Sequence, residues 1–299
     1  MRAGIKRGIT GIVLAASTLL AASACAIAPG TDGNIVNEWS AMAAPEGWLP
    51  QAETCHKEFA ATSHRRSYSP VSCATDHRYQ TVFLGEFTGE AAQLPSAPSA
   101  AGGPELLAAY KDCDAKTTAF LGGDWRSGRL WIGVSVPSTG AWEGGARWYR
   151  CEVAPKEDIF NPGPVTLSKS LKNEFGASSD LKYGCYTIPE DRTRWTAMAC
   201  TAAHNAEFVA AIPVNFAYAD LATDAAADSI HGKCRSAIAA YVGVPDNADM
   251  KYRTGTYYRF PGENDWIAGD RQIRCHLWMS KKTLNRSLKG TGNAGLPIR

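Results

Sequence analysis

Two Cys-x3-His pairs are the residues whose types and spacing most invite chemistry: Cys73 with His77, and Cys200 with His204. A thiolate beside an imidazole can hold a metal ion, or can act as a nucleophile with its base. Strand geometry works against both roles, because positions four apart stand ~13 Å from each other unless a turn folds between them. Oxidation of the cysteine to a disulfide ends either role. His77 and His204 are therefore expected to be hydrogen-bonded structural residues, and no metal or other cofactor is expected. Trp142 and Trp266 offer a second chemistry, a platform for stacking sugars. The alternative is that each anchors a turn before a strand, with Gly145 or Gly269 permitting that turn. Arg147 and Arg271 offer a third. Each stands at even spacing before a cysteine, so each is expected on the cysteine's inward face, paired with an internal carboxylate rather than with an acidic ligand. No Gly-x-Ser-x-Gly, His-Glu-x-x-His, phosphate-cradling loop or dinucleotide fingerprint occurs, and no catalytic residue is assigned. The paired carboxylates of a glycosidase leave no local signature.

These residues recur because the chain resembles itself at an offset of roughly 120 to 130 residues, a spacing suited to whole domains. Pro137, Trp142, Gly145, Arg147, Arg150 and Cys151 match Pro261, Trp266, Gly269, Arg271, Arg274 and Cys275 without a gap. A Ser-Leu-Lys follows each copy, at 170–172 and at 287–289. Leu106, Tyr110, Cys113, Thr117 and Leu121 fall on one helical stripe, as do Ile230, Cys234, Ile238 and Tyr241, and Gly122 and Gly243 stand where helices end in a left-handed turn. Strand patterns occupy 81–87, 130–136 and 148–153 in the first half, and 207–214, 256–260 and 272–278 in the second. The expectation is an α+β fold: two tandem disulfide-stapled domains, 46–172 and 173–299, each a small, mostly antiparallel sheet with one main helix. The Ala/Pro/Ser/Gly-rich stretch 91–103 lies inside the first repeat, and the junction is expected near 173–181.

Eight cysteines divide evenly between the halves once Cys25 is set aside. The helix cysteine and the last-strand cysteine both face a core, so Cys113 is expected to bond Cys151 and Cys234 to bond Cys275. That leaves Cys55 with Cys73 and Cys185 with Cys200. Four cysteines allow three pairings, so this is one of the possibilities. Each closed loop would add roughly 3–4 kcal/mol in the chain-entropy model.

An even cysteine set belongs to an oxidising compartment, and the N-terminus agrees. Arg2, Lys6 and Arg7 precede an apolar run over 9–22 that is too short for a stable span, which reads as a signal peptide over 1–24. Ala22-Ser23-Ala24-Cys25 resembles a lipobox, so Cys25 is expected to carry acyl chains, with 25–45 as a tether; plain secretion after Ala24 is the alternative. Removing 1–24 leaves 28 Lys and Arg against 29 Asp and Glu. That balance argues against a nucleic-acid partner and against a polybasic hold on anionic lipid.

The Cys-x3-His and the Trp-x2-Gly-x-Arg leading to Cys and Ser-Leu-Lys resemble the septum formation domain family of actinobacterial envelope proteins, over nearly all the mature chain. The family usually carries an acid three residues after the histidine, which Glu207 supplies and Gln80 does not. The resemblance implies a place near cell division or envelope growth. It brings no catalytic residues. The expected function is a non-catalytic lipoprotein on the outer face of the cytoplasmic membrane that binds an envelope protein or a cell-wall component. The alternatives are a wall-acting hydrolase, for which Glu207, Asp265 and His276 are the residues to inspect first, and a small-ligand sensor or carrier using the cleft between domains.

Overall fold

The two apolar stripes become the two long helices of the computed structural model, which describes residues 44–299 apart from 100, 162, 177–178 and 299. Helix α1, Pro104–Leu121, starts with proline at its first turn and buries Tyr110, Cys113, Thr117 and Leu121; it ends at Gly122 with φ 79°. Two short strands, β1 (Cys55–His56) and β2 (Thr62–Ser63), and one long one, β3 (Tyr79–Glu86), precede it. Strand β4 (Leu130–Pro137), the single-turn helix α2 (Thr139–Glu143) and β5 (Trp148–Pro155) follow. They form one sheet of order β1-β3-β5-β4-β2, antiparallel except for β2 beside β4.

The second half repeats much of this. Strands β6 (Cys185–Thr187), β7 (Thr196–Met198) and β8 (Ala206–Pro213) lead to helix α3, Asp224–Val242, which Thr223 caps and Gly243 closes at φ 86°. A short helix α4 (Met250–Arg253), strand β9 (Gly255–Arg259), helix α5 (Glu263–Ala268) and β10 (Gln272–Trp278) complete a sheet of order β7-β6-β8-β10-β9. The halves share four strands in the same order, while the fifth lies on opposite edges: β2 beside β4, and β7 beside β6. Each long central strand also skips a partner at the same place. Val82 in β3 and Val209 in β8, each two residues after Gln80 or Glu207, are left out of register with β5 and β10.

Four disulfides close the fold: Cys55–Cys73, Cys113–Cys151, Cys185–Cys200 and Cys234–Cys275. The second and fourth pin each long helix to its last strand and are fully buried. Around them lie Leu121, Leu130, Ile132, Trp142 and Val153 in the first half, and Leu221, Ile230, Trp266 and Ile273 in the second.

Residues 45–299 make one compact unit. Residues 173–176 and 179–182 are laid along the first half: Phe175 is buried in the first core, its N–H donates to Leu121 O, and Arg129 N–H donates to Leu181 O. Across the boundary, Arg126 Nε donates to Asp270 Oδ1 at 3.0 Å; on its own side Arg126 Nη1 donates to Asp114 Oδ1 at 2.5 Å, and Asp270 Oδ2 pairs with Arg274 at 2.7 Å. All but Asp114 of this group are almost wholly buried. Among the described residues no helix is long and apolar enough to cross a membrane. The signal peptide, the tether and Cys25 lie outside the described residues.

Candidate functional site

The Cys-x3-His pairs are spent on structure. Cys73 and Cys200 are oxidised, and each histidine closes the turn that follows its cysteine: His77 Nδ1 donates to Thr75 O and His204 Nδ1 to Ala202 O, both at 2.7 Å. The backbones of His77 and His204 then bridge to Leu167 and Leu284 in the returning chain. His204 Nε2 faces Glu207 Oε1 at 3.4 Å. Glu207, wholly buried, accepts from Tyr241 Oη at 2.8 Å, Ser287 Oγ at 2.8 Å and Leu288 N at 2.9 Å. Gln80 performs the same task in the first half, donating to Ser170 Oγ and accepting from Leu171 N, both at 2.8 Å. The acid after the histidine is therefore a latch for Ser-Leu-Lys, and an amide serves as well because the same two partners need one acceptor and one polar neighbour.

Cys185 Sγ, His204 and Glu207 do bring three ligand-type atoms within 4.8 Å of one another. The sulfur is bonded to Cys200 and the carboxylate already accepts several hydrogen bonds, so the set does not fit a metal ion while that disulfide is formed.

Trp142 and Trp266 are 1% and 2% exposed, which removes the sugar-stacking platform. Trp142 Nε1 donates to Leu94 O, and the Arg147 guanidinium lies 4.1 Å from its ring. Neither motif arginine has the expected internal carboxylate. Arg147 donates to the backbone carbonyls of Ala92, Trp142 and Ala146, not to a carboxylate, and Arg271 is exposed. Both precede their strands, where alternation has not begun. The internally paired arginines are instead Arg150 and Arg274, on the opposite face from the cysteine, and that face is buried too.

That second face carries a cluster that spacing alone did not reveal. In the first half, His56, Thr81, Arg150 and Glu152 converge beneath Tyr68. Thr81 Oγ1 donates to Glu152 Oε1 at 2.8 Å, and His56 Nε2 lies 3.1 Å from Thr81 Oγ1 and 3.2 Å from Arg150 Nη1. Burial raises the Glu152 carboxyl to about 7 against the pull of Arg150, and burial with help from Arg150 lowers His56 to about 4. The corresponding strand positions of the second half hold Tyr186, Phe208, Arg274 and His276. There His276 is enclosed by Trp195, Phe208 and Tyr186 with ring centroids 4.9, 5.5 and 5.8 Å away, and burial lowers it to about 3.

The remaining residue of the three to inspect, Asp265, stands where the halves meet. It accepts from Trp131 Nε1 at 2.9 Å and lies 3.8 Å from Lys156 Nζ, whose charge burial disfavours. Both border a recess of about 540 Å³. Lys156, just after β5, and Phe160 form the side given by the first half, and the second half contributes Tyr218, Arg259, Phe260, Glu263 and Arg274. The Arg259 guanidinium stacks on Phe160 at 4.4 Å and makes no side-chain hydrogen bond or ion pair with any described residue. Glu263, exposed, is likewise unpaired among them. An open recess with aromatic walls and unspent charges is suited to binding a small polar group.

A family model described as septum formation matches residues 52–281 in one stretch, crossing both halves. No curated protein and no solved structure matches the chain.

Proposed function

Because the chain belongs to the septum formation family, with a role in division or the envelope, we propose that it is a non-catalytic lipoprotein that binds a protein or cell-wall component outside the cytoplasmic membrane. In this reading Cys25 carries the lipid, and 46–172 and 173–299 are one domain built twice. The four disulfides fit an exported protein. The shared strand order and the matching bulges support duplication. The observation that carries the functional reading is the division of labour among polar groups. The repeated His77 and His204, and Gln80 and Glu207 at matching positions, are consumed by internal hydrogen bonds, whereas the unpaired charges of Arg259 and Glu263 border the recess at the junction.

Two measurements test it. The purified mature chain is expected to leave peptidoglycan and model esters uncleaved; cleavage abolished by one polar substitution in a still-folded protein sinks the non-catalytic reading. In cells, Cys25→Ala is expected to move the protein from the membrane fraction to the medium. Unchanged fractionation removes the anchor.

A further inference from the structure

We propose that the recess between the halves holds a short zwitterionic peptide, its carboxylate on Arg259 and its ammonium on Glu263. This rests on the reading of the junction as the binding site and gives that site its ligand chemistry.

The recess is marked by unspent charge. Three cations border the recess, and two are already answered: Lys156 by Asp265, and Arg274 by Asp270. Three acids border it, and two are occupied. Asp265 holds Trp131 and Lys156. Asp158 accepts from Phe160 N and Asn161 N and pairs with Arg194. Arg259 and Glu263 are left over, one of each sign.

The setting of Arg259 sharpens this. Phe160 covers the flat of its guanidinium at 4.4 Å, and Trp195 lies 6.0 Å away. Stacking uses the face of the group and leaves its in-plane N–H fork free for a planar two-oxygen acceptor. Burial disfavours its charge more than Tyr257, Tyr183 and the nearby Asp158 support it, and an arriving carboxylate would relieve that penalty. A dianionic phosphate would bring two charges to one free cation among three carboxylates, and a purely cationic ligand would meet Arg259 unpaired. A ligand with one charge of each sign matches. Ile159, Phe160, Tyr218 and Phe260 offer apolar surface for its side chains, and about 540 Å³ lies within the range of small-molecule sites.

Titration calorimetry on the mature chain tests this with the dipeptide alanyl-phenylalanine, its C-terminal amide, its N-acetyl form and inorganic phosphate. The free dipeptide is expected to bind and to raise the melting temperature. Amidation or Arg259→Gln is expected to weaken it about tenfold, with Arg259→Lys in between. Glu263→Gln is expected to weaken the free dipeptide but not the acetylated one. Because Glu263 is exposed, that variant keeps the test open should Arg259→Gln fail to fold. No binding of the free dipeptide, equal binding of the amide, or tighter binding of phosphate overturns the proposal. Such a failure leaves the cleavage and fractionation tests above untouched, so the two readings fall separately.

Discussion

Single residues on the second face of each sheet set how this protein responds to acid. His276 is neutral in the fold, lowered by burial from 6.5 to about 3, whereas in the unfolded chain it takes up a proton below its ordinary value. The unfolded state then binds more protons, so this stability is whole above pH 6.5 and is lost as pH falls toward 3. His56 adds a loss of the same sign between 6.5 and about 4. Glu152 opposes them: its folded value is raised from 4.5 to about 7, so its contribution is complete below 4.5 and disappears as pH rises through 7. Replacing His276 by Phe, which suits the surrounding rings, is expected to flatten the decline of melting temperature between pH 6.5 and 4; an unchanged slope in calorimetric scans would remove His276 as its source. At the latch, Glu207→Ala leaves Leu288 N, Ser287 and Tyr241 without their shared acceptor and is expected to cost roughly 2–4 kcal/mol, with Glu207→Gln at less than half of that. Gln80 shows that an amide can hold the equivalent segment. Urea titrations that find the two variants equally damaged would contradict the latch.

At the level of elements, one motif glycine serves two ends. Gly145 and Gly269 both have positive φ, 94° and 130°. Around Gly145 an added Cβ meets nothing within 4 Å, but at Gly269 it would fall 2.6 Å from Tyr110 Cδ1, on the helix of the other half. Gly145→Ala is therefore expected to cost about 1 kcal/mol from backbone strain alone, and Gly269→Ala distinctly more, because α5 must retreat from α1. Equal losses of stability would mean that the close approach carries no weight. The two glycines look interchangeable in sequence, and this marks where legibility ended. Cys113, Cys234 and the stripes around them revealed both long helices, since a helix announces its buried face in its own periodicity. Arg150 and Arg274 stayed hidden because alternation inside β5 and β10 says which residues share a face, not that both faces are covered. The cover comes from Tyr68 over Arg150 in one half, and from Trp125 over Arg274 and Trp195 over His276 in the other, all far away in the chain. Arg259 was invisible for a related reason: what distinguishes it is that its guanidinium forms no ion pair, and pairing belongs to the folded state.

For the molecule as a whole, the boundary between the halves is a buried ion cluster, with Arg126 reaching Asp114 on its own side and Asp270 on the other. Arg126→Ala leaves Asp270 with Arg274 alone and is expected to cost about 3–5 kcal/mol. Its effect should exceed that of an exposed pair such as Lys172–Glu53, where removing either partner is worth ~0–1 kcal/mol. A wild-type protein that unfolds in one transition, and an Arg126→Ala variant that unfolds in two, would identify this cluster as what makes the halves cooperate; a single transition in both would deny it that role.

Phe175 has a practical corollary. It follows the first Ser-Leu-Lys, so anyone severing the chain after residue 172 to isolate the halves would tear a plug from the first core and hand it to the wrong fragment. The amino-terminal piece would carry an apolar wound beside Leu121, and the carboxy-terminal piece a loose aromatic tail. Excision between 182 and 185, after the bridge from Gly128 to Lys182 and before Cys185, keeps Phe175 with its core and takes only the partly buried Ile159 and Phe160 from the second.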